Sequence, residues 1–321
     1  MKLRFFISIL LFVSVFISCK KDVEINPTPV DECTIPPHPA SSCAGCVGVG
    51  WLGTTRDQSL NIVSGGYVYN SITEIVYIDA NYTLWYLNRT TNIKKKLDVS
   101  VTAQPKMNKH GWLTYSKLNG NIYKIKINAD SLTQLTFDGQ SQYPAWSADG
   151  KFIYYLNQKN HGLIRIDENG INQDTLKNIL SWVSITDNLM AYVDIFSGKQ
   201  RILIKDLTTN IDKVIVTNNR IGNNSKDYIN NVFIDNNIDK DLYWSDGYGL
   251  YKTNISTLST TTIITACDTK YLYAFSIASD NSKIISTRSD TRAVDANYLY
   301  NEKNIYEMNT DGSNIQLITI P

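Results

Sequence analysis

The feature that most constrains this chain is a short segment that recurs six times between residues 84 and 309. Each copy begins with Ile or Leu, continues with Ile, Leu, Tyr or Trp, and ends, in five of six copies, on Asn or Asp. The copies are Leu84–Asn88, Ile122–Lys126, Leu163–Asp167, Ile202–Asp206, Leu250–Asn254 and Ile305–Asn309, and their starts are 38, 41, 39, 48 and 55 residues apart. A sequence with such a period builds its fold from similar supersecondary units.

Each copy is flanked by two further runs that favour strands. The preceding runs are 75–78, 112–115, 152–156, 189–193, 242–245 and 283–287; the following runs are 94–97, 132–136, 175–176, 214–216, 261–264 and 315–319. The 20 tyrosines and the frequent Ile and Thr also favour strands. No sustained 3.6-residue apolar period is found in residues 59–321, which disfavours a helical solenoid. With one innermost strand added to each repeat, the pattern predicts an all-β, six-bladed β-propeller of four-stranded antiparallel blades over residues 59–321.

The junction into the third repeat carries the most specific motif. Leu132-Thr133-Gln134-Leu135-Thr136 is followed by Tyr143-Pro144-Ala145-Trp146-Ser147-Ala148-Asp149-Gly150-Lys151. This resembles the TolB-type (PD40, WD40-like) propeller repeat, with Ala148 in place of the usual second proline. We expect Trp146 to fill space between blades, and Ser147, Asp149 and Gly150 to build the turn into the next strand. The motif therefore predicts the fold and leaves the function open.

A targeting segment precedes the repeats. Lys2 and Arg4 precede an apolar run of 13 residues, 5–17. That run is shorter than the roughly 20 residues that span a bilayer and is typical of a signal peptide. It ends at Ser18-Cys19, which resembles the bacterial lipobox.

The lipobox resemblance implies that residues 1–19 are a lipoprotein signal peptide and that Cys19 is lipidated. Phe16 and Ile17 depart from the commonest lipobox, and an ordinary signal peptide with a chance cysteine is the alternative. Lys20 stands where aspartate is the family's usual mark for inner-membrane retention. The resemblance thus implies an outer membrane lipoprotein, facing either the periplasm or the cell exterior.

Residues 20–58 are predicted to be a tether, because the Pro-rich segments around Pro27 and Pro37 disfavour helix and central strand. The disulfide candidates are Cys33, Cys43, Cys46 and Cys267. An oxidising compartment favours disulfides, and the connectivity cannot be deduced from the sequence. The Cys43–Cys46 spacing lacks the following helix of a redox motif and the ligands of a zinc site.

Composition narrows the classes of function. Without residues 1–19 the chain has 29 basic and 30 acidic residues, and this near-neutral balance gives no support for nucleic-acid binding. The only histidines are His38, His110 and His161, and the last two each precede a glycine, as in turns. We therefore expect no metal, no cofactor and no catalytic residues, and the chain is predicted not to be an enzyme.

The two longest intervals between repeats indicate insertions, at 218–235 and 288–303. Their Arg, Lys and Tyr residues are typical of contact surfaces, although a solvated hairpin is the plainer alternative. The candidate binding residues are Arg220, Lys226, Tyr228, Arg288, Arg292 and Tyr298. The favoured function is a non-catalytic envelope lipoprotein whose propeller binds a protein and whose N-terminal lipid binds the membrane. The alternative is a surface carbohydrate-binding protein or a polysaccharide-active propeller enzyme.

Overall fold

Twenty-four β-strands follow one another in the part of the chain that the structure describes. The structure is a computed structural model. It describes residues 62–71, 73–79, 81–102, 105–171, 173–178, 183–218, 228–235, 240–246, 249–265, 270–278, 281–295, 298–318 and 320. In this part of the chain, no helix is long and apolar enough to cross a membrane. The signal peptide, Cys19, the tether and the four candidate disulfide cysteines lie outside the described residues.

The strands form six sheets, and each sheet consists of four strands that are consecutive in the chain. Blade 1 contains β1 (Ile62–Ser71), β2 (Glu74–Asp79), β3 (Leu84–Asn88) and β4 (Ile93–Asp98). Blade 2 contains β5 (Lys106–Met107), β6 (Trp112–Ser116), β7 (Ile122–Lys126) and β8 (Thr133–Gln134). Blade 3 contains β9 (Ser141–Trp146), β10 (Phe152–Asn157), β11 (Gly162–Asp167) and β12 (Asp174–Asn178).

The other three blades repeat the same order. Blade 4 contains β13 (Ser184–Thr186), β14 (Leu189–Phe196), β15 (Lys199–Asp206) and β16 (Asp212–Asn218). Blade 5 contains β17 (Asn231–Ile234), β18 (Asp241–Asp246), β19 (Gly249–Asn254) and β20 (Thr260–Thr265). Blade 6 contains β21 (Lys270–Ile277), β22 (Lys283–Asp295), β23 (Tyr298–Asn309) and β24 (Gln316–Leu317). All pairings are antiparallel, so the predicted six-bladed propeller of four-stranded blades is confirmed.

The six repeated segments become the third strand of each blade, and the turn-entering role expected of their last residue is confirmed. The Oδ1 atom of Asn88 accepts hydrogen bonds from the backbone N–H groups of Thr90 and Thr91, both at 3.0 Å. Asp167, Asp206 and Asn254 accept two backbone bonds in the same way, at 2.8–3.1 Å. These polar residues satisfy the backbone donors of the turn into the outermost strand.

Six apolar cores, one between each pair of neighbouring blades, close the ring. The core between blades 6 and 1 joins Ile75, Tyr77 and Leu87 to Ala278, Ile285, Ile305 and Ile318. The first strands of neighbouring blades contact one another around the whole ring, which makes them the innermost strands. Two side chains tie these inner strands together: Ser184 Oγ accepts from Ile234 N at 3.0 Å, and Asn231 Nδ2 donates to Phe275 O at 3.1 Å.

Trp146 has the packing role expected from its motif. Its side chain is buried between blades 2 and 3, against Ile122 and Leu135. In the turn that follows, Ser147 Oγ donates to Asp149 Oδ1 at 2.7 Å, and this hydrogen bond is the main reason that the pKa of Asp149 is lowered. Gly150 has φ +76°, a conformation that L side chains rarely adopt. This motif therefore specifies the fold.

Candidate binding face

Because neighbouring strands of a blade run in opposite directions, the connections between strands lie at two opposite faces of the propeller. In an antiparallel meander, the first-to-second and third-to-fourth connections lie at one end of the blade. The second-to-third turns, and the links from one blade to the next, lie at the other end. We call the first end the turn face and the second end the loop face.

Both long intervals from the sequence reach the loop face. Residues 218–235 contain the link between blades 4 and 5, and residues 288–303 form the tip of the β22–β23 hairpin. That hairpin continues the two central strands of blade 6, as the plainer alternative anticipated. It extends past the start of β21, because Lys270 pairs with Asp290 whereas β22 continues to Asp295.

The candidate binding residues are described to different extents. Arg220 and Lys226 lie outside the described residues, so their roles stay predictions. Arg288, Arg292 and Tyr298 lie on β22 and β23, where the structure describes the backbone. Tyr228 is 49% exposed, on the link between blades 4 and 5.

The loop face also carries exposed apolar side chains, of which the sequence analysis singled out Tyr228 alone. They are Tyr82, Val99, Leu118, Phe137, Ile195, Phe196 and Tyr228. Among residues with described side chains, all four exposed aromatic residues (Tyr82, Phe137, Phe196 and Tyr228) belong to this face. The turn face exposes isolated aliphatic residues beside its third-to-fourth turns, such as Ile171, Ile211 and Leu258. Within the part of the chain whose side chains are described, the exposed aromatic surface is therefore confined to the loop face.

Phe196 is the best-supported aromatic side chain on this face. It ends β14 at the tip of the blade 4 hairpin and is 60% exposed. The guanidinium carbon of Arg201 lies 4.4 Å from the centroid of its ring. Asp194 accepts two hydrogen bonds from Arg201, from Nε at 2.9 Å and from Nη2 at 2.7 Å, so this bidentate pair fixes the guanidinium along one edge. This arrangement presents a pre-positioned aromatic ring to solvent.

A hydrogen bond connects this hairpin to the neighbouring link. The backbone N–H of Ile229 donates to Gln200 Oε1 at 2.6 Å, and Gln200 pairs with Ile195 across the hairpin. Tyr228 directly precedes Ile229, so Tyr228 and Phe196 belong to connected parts of the same face. The signal for Phe196 was present in the sequence, because two large apolar residues stand immediately before the Ser197-Gly198 turn, where polar residues are usual.

On the loop face, hydrogen bonds join the connections of blades 2 and 3. Ser141 N donates to Gly120 O at 2.8 Å, and Gly139 N donates to Asn121 Oδ1 at 2.9 Å. Asp138 accepts from Ser141 Oγ at 2.8 Å and from Asn157 Nδ2 at 2.8 Å. Phe137, which is 80% exposed, is therefore carried by a link that is bonded on both sides.

A buried polar network supports the loop face between blades 1 and 2. The hydroxyl of Tyr115 donates to Asp98 Oδ2 at 2.6 Å, and Lys117 Nζ donates to Asp98 Oδ1 at 3.0 Å. Burial, followed by the bond to Asp98, raises the pKa of Tyr115 far above its usual value. Leu118 N donates to Ser100 O at 2.8 Å, which joins the turn of blade 2 to the link that precedes it.

The turn face holds a groove of about 400 Å³ between blades 3 and 4. Its charged and aromatic lining residues include Lys109, Asp149, Phe152, Tyr154, Arg165 and Asp187. Several of these groups already have partners: Arg165 pairs with Asp174 and covers the ring of Phe152 at 4.8 Å, and Asp187 accepts from Lys240 at 2.7 Å. The groove is therefore a weaker candidate than the loop face.

No metal centre or histidine pair emerges in the described residues. No group of three or more His, Cys, Asp or Glu residues in them could hold a metal ion. His110 lies in the first turn of blade 2, on the turn face, whereas His161 lies in the second-to-third turn of blade 3, on the loop face. The two histidines are thus placed at opposite ends of the propeller.

Solved structures share this architecture. The chain is similar to the putative TolB from Agrobacterium tumefaciens, with TM-score 0.59, 11% identity, and coverage of 73% of this chain and 87% of that chain. It has the TolB-like six-bladed propeller fold. It is also similar to TolB from Acinetobacter baumannii (TM-score 0.52, 11% identity, 79% and 67% covered). An auxiliary nutrient binding protein from Bacteroides thetaiotaomicron matches as well (TM-score 0.55, 7% identity, 76% and 69% covered).

No protein-family model and no curated protein matches the sequence. The resemblance to TolB-type propellers that the repeat motif indicated is confirmed at the level of the fold. Function has to be argued from the loop face, because one propeller fold serves many activities.

Proposed function

We propose that this protein is a non-catalytic lipoprotein of the cell envelope whose propeller binds a partner protein through its loop face. The observation that carries the proposal is the confinement of the four exposed aromatic side chains to that face. Phe196, stacked on a guanidinium that Asp194 fixes, has the character of an interface anchor: aromatic, pre-positioned and flanked by charge.

The aliphatic members of the face favour a protein partner over a glycan. Val99, Leu118 and Ile195 are exposed beside the aromatic residues. Sugar rings are bound by aromatic platforms and polar groups, whereas protein interfaces also bury branched aliphatic side chains. A mixed apolar surface on hydrogen-bonded loops fits a pre-formed protein interface.

Three carboxylates of the loop face support a binding role rather than catalysis. Asp98 binds Tyr115 and Lys117, Asp194 binds Arg201, and Asp138 holds its own loop. Each therefore has a structural partner. A glycosidase would need two carboxyl groups poised towards a bound sugar.

The location follows from the N-terminal segment. Residues 1–19 have the composition of a signal peptide, and Cys19 stands where the lipobox places the acylated cysteine. Lys20 favours the outer membrane, on either its periplasmic or its external side. The TolB-like fold is in keeping with an envelope role.

Site-specific photo-crosslinking in living cells tests the proposal. A photoreactive phenylalanine analogue replaces Phe196 or Tyr228 on the loop face, and Ile211 or Leu258 on the turn face as matched exposed controls. We expect a discrete protein adduct from the loop-face positions and none from the controls. Adducts from both faces alike would refute the proposal. Absence of any adduct, together with glycan-array binding that the same two loop-face replacements weaken, would establish the carbohydrate-binding alternative instead.

A further inference from the structure

Blades 1 and 2 contain a concentration of positive charge that the near-zero net charge conceals. Residues 84–127 hold nine basic residues and one acid. The basic residues are Arg89, Lys94, Lys95, Lys96, Lys106, Lys109, Lys117, Lys124 and Lys126, and the acid is Asp98. The rest of the mature chain is therefore strongly acidic in balance.

The one acid of this segment is already bound by one of its nine basic residues. The side chain of Asp98 is 8% exposed and is bound by Lys117 and Tyr115. Lys96, Lys109 and Lys126 are exposed and lie beyond ion-pair distance of the described carboxylates. Arg89, by contrast, pairs with Glu307 across the closure between blades 1 and 6.

Three consecutive lysines form the centre of this charge. Lys94, Lys95 and Lys96 lie on β4, the outermost strand of blade 1, and all three are exposed. We call them the basic edge. Lys94 Nζ lies 4.6 Å from the centroid of the Trp85 ring, and Lys95 Nζ donates to the carbonyl of Asn128. Because strand residues alternate, the basic edge presents charge on both sides of β4.

Three lysines on β4 are more than the protection of a free strand edge requires. Outer strands need charged residues to discourage pairing with other chains. The other outer strands of the propeller, however, contain few lysines. Strands β12 and β16 contain one lysine each, and β8, β20 and β24 contain none. The basic edge thus exceeds what the same fold requires elsewhere.

We propose that the basic edge rests on an anionic phospholipid surface. The inference builds on the proposed lipid anchor, because the first blade that follows Cys19 and the tether in the sequence is blade 1, which carries the three lysines. A lysine near an anionic bilayer is attracted by about 1 kcal/mol, and a tethered domain meets the surface at high effective concentration. Ile93, exposed beside the lysines, adds an apolar contact at the interface. With its rim on the membrane, the propeller leaves the loop face open to a partner.

Amine labelling of the native protein tests this orientation. The purified, full-length processed protein is reconstituted in vesicles of phosphatidylcholine alone or with phosphatidylglycerol, and then treated with a membrane-impermeant amine reagent. Mass spectrometry compares the basic edge with Lys151, Lys159 and Lys213, which are exposed on blades 3 and 4. Three lysines at about 1 kcal/mol each give roughly a 100-fold preference for the facing orientation. We therefore expect the basic edge to label at least about tenfold more slowly in anionic vesicles, with the control lysines unchanged.

High salt and the N-terminal peptide complete the test. In 1 M NaCl the screening length falls to about 3 Å, so the protection of the basic edge should disappear. Equal labelling of the basic edge in both vesicle types would overturn the inference, as would protection of the control lysines to the same extent. The same spectra report whether Cys19 is acylated. An acylated Cys19 with an unprotected basic edge removes the orientation alone, whereas an unmodified Cys19 removes the proposed anchor.

Discussion

A pair of glycine substitutions tests whether the turn at Gly120 lies as close to the link at Gly139 as the structure shows. Gly120 and Gly198 both lie in second-to-third turns, with φ +72° and +75°. A Cβ at Gly120 would lie 2.1 Å from the carbonyl oxygen of Gly139, whereas a Cβ at Gly198 meets nothing within 4 Å. Gly198→Ala therefore isolates the backbone cost, and Gly120→Ala adds the collision.

The magnitudes follow from these contacts. An alanine with positive φ costs about 1 kcal/mol, which is the whole effect expected at Gly198. At Gly120 the link to blade 3 must also move. That movement breaks the bonds from Ser141 N to Gly120 O and from Gly139 N to Asn121 Oδ1, at about 1 kcal/mol each. We expect Gly120→Ala to lower the free energy of unfolding by about 3 kcal/mol.

Equilibrium urea unfolding measures both variants. Circular dichroism and tryptophan fluorescence should give the same midpoint, which checks that the six blades unfold together. A difference of less than about 0.5 kcal/mol between the two variants would refute the close approach of the two links.

Three further substitutions test the interior. Burial lowers the pKa of Lys106, on the inner strand β5, to about 8. Lys106→Met should therefore stabilise the protein at pH 7 by about 1–2 kcal/mol, allowing for partial exposure. The stabilisation by Lys106→Met should shrink as the pH rises through 8 towards 10, because the Lys106 ammonium loses its proton at a lower pH in the folded protein than in the unfolded chain. Thermal melts at several pH values measure this trend, and a stabilisation that grew with pH would contradict this reasoning. The buried hydroxyl of Tyr77 has no hydrogen-bond partner in the described residues, so Tyr77→Phe should leave the free energy of unfolding unchanged or raise it by up to about 1–2 kcal/mol. Tyr115→Phe, which removes the donor to Asp98, should cost about 1.5–3 kcal/mol in the same assay; equal effects would contradict the assigned network.

The repeat predicted most of the fold because strands of a propeller blade follow a local pattern. The second, third and fourth strands were located by alternating apolar residues, and the third by its polar turn residue. One inner strand per repeat was expected, but the inner strands were not located in the sequence, and two of them are very short: β5 has two residues and β13 has three. Their position is determined by contacts with neighbouring inner strands rather than by any local period.

The candidate site was only partly predictable for a different reason. The long intervals were visible as irregular spacing, and their common face follows once strand order is known. Phe196 became significant only when Asp194 and Arg201 were seen to position its ring, a relation across a hairpin whose register the sequence does not specify. The basic edge was hidden by a net charge that averages over six blades.

The affinity of the crosslinked partner for two double variants tests the central claim most directly. Phe196→Ser with Tyr228→Ser removes two aromatic side chains from the loop face, and Ile211→Ser with Leu258→Ser removes two exposed apolar side chains from the turn face. An anchor residue contributes about 2 kcal/mol, so the loop-face variant should bind about 30-fold more weakly if one of the two side chains is an anchor and about 1,000-fold more weakly if both are, measured by calorimetry. The turn-face variant should bind like the wild type. Equal affinity of both variants, or a loss confined to the turn-face variant, would contradict the proposal that the loop face is the binding surface.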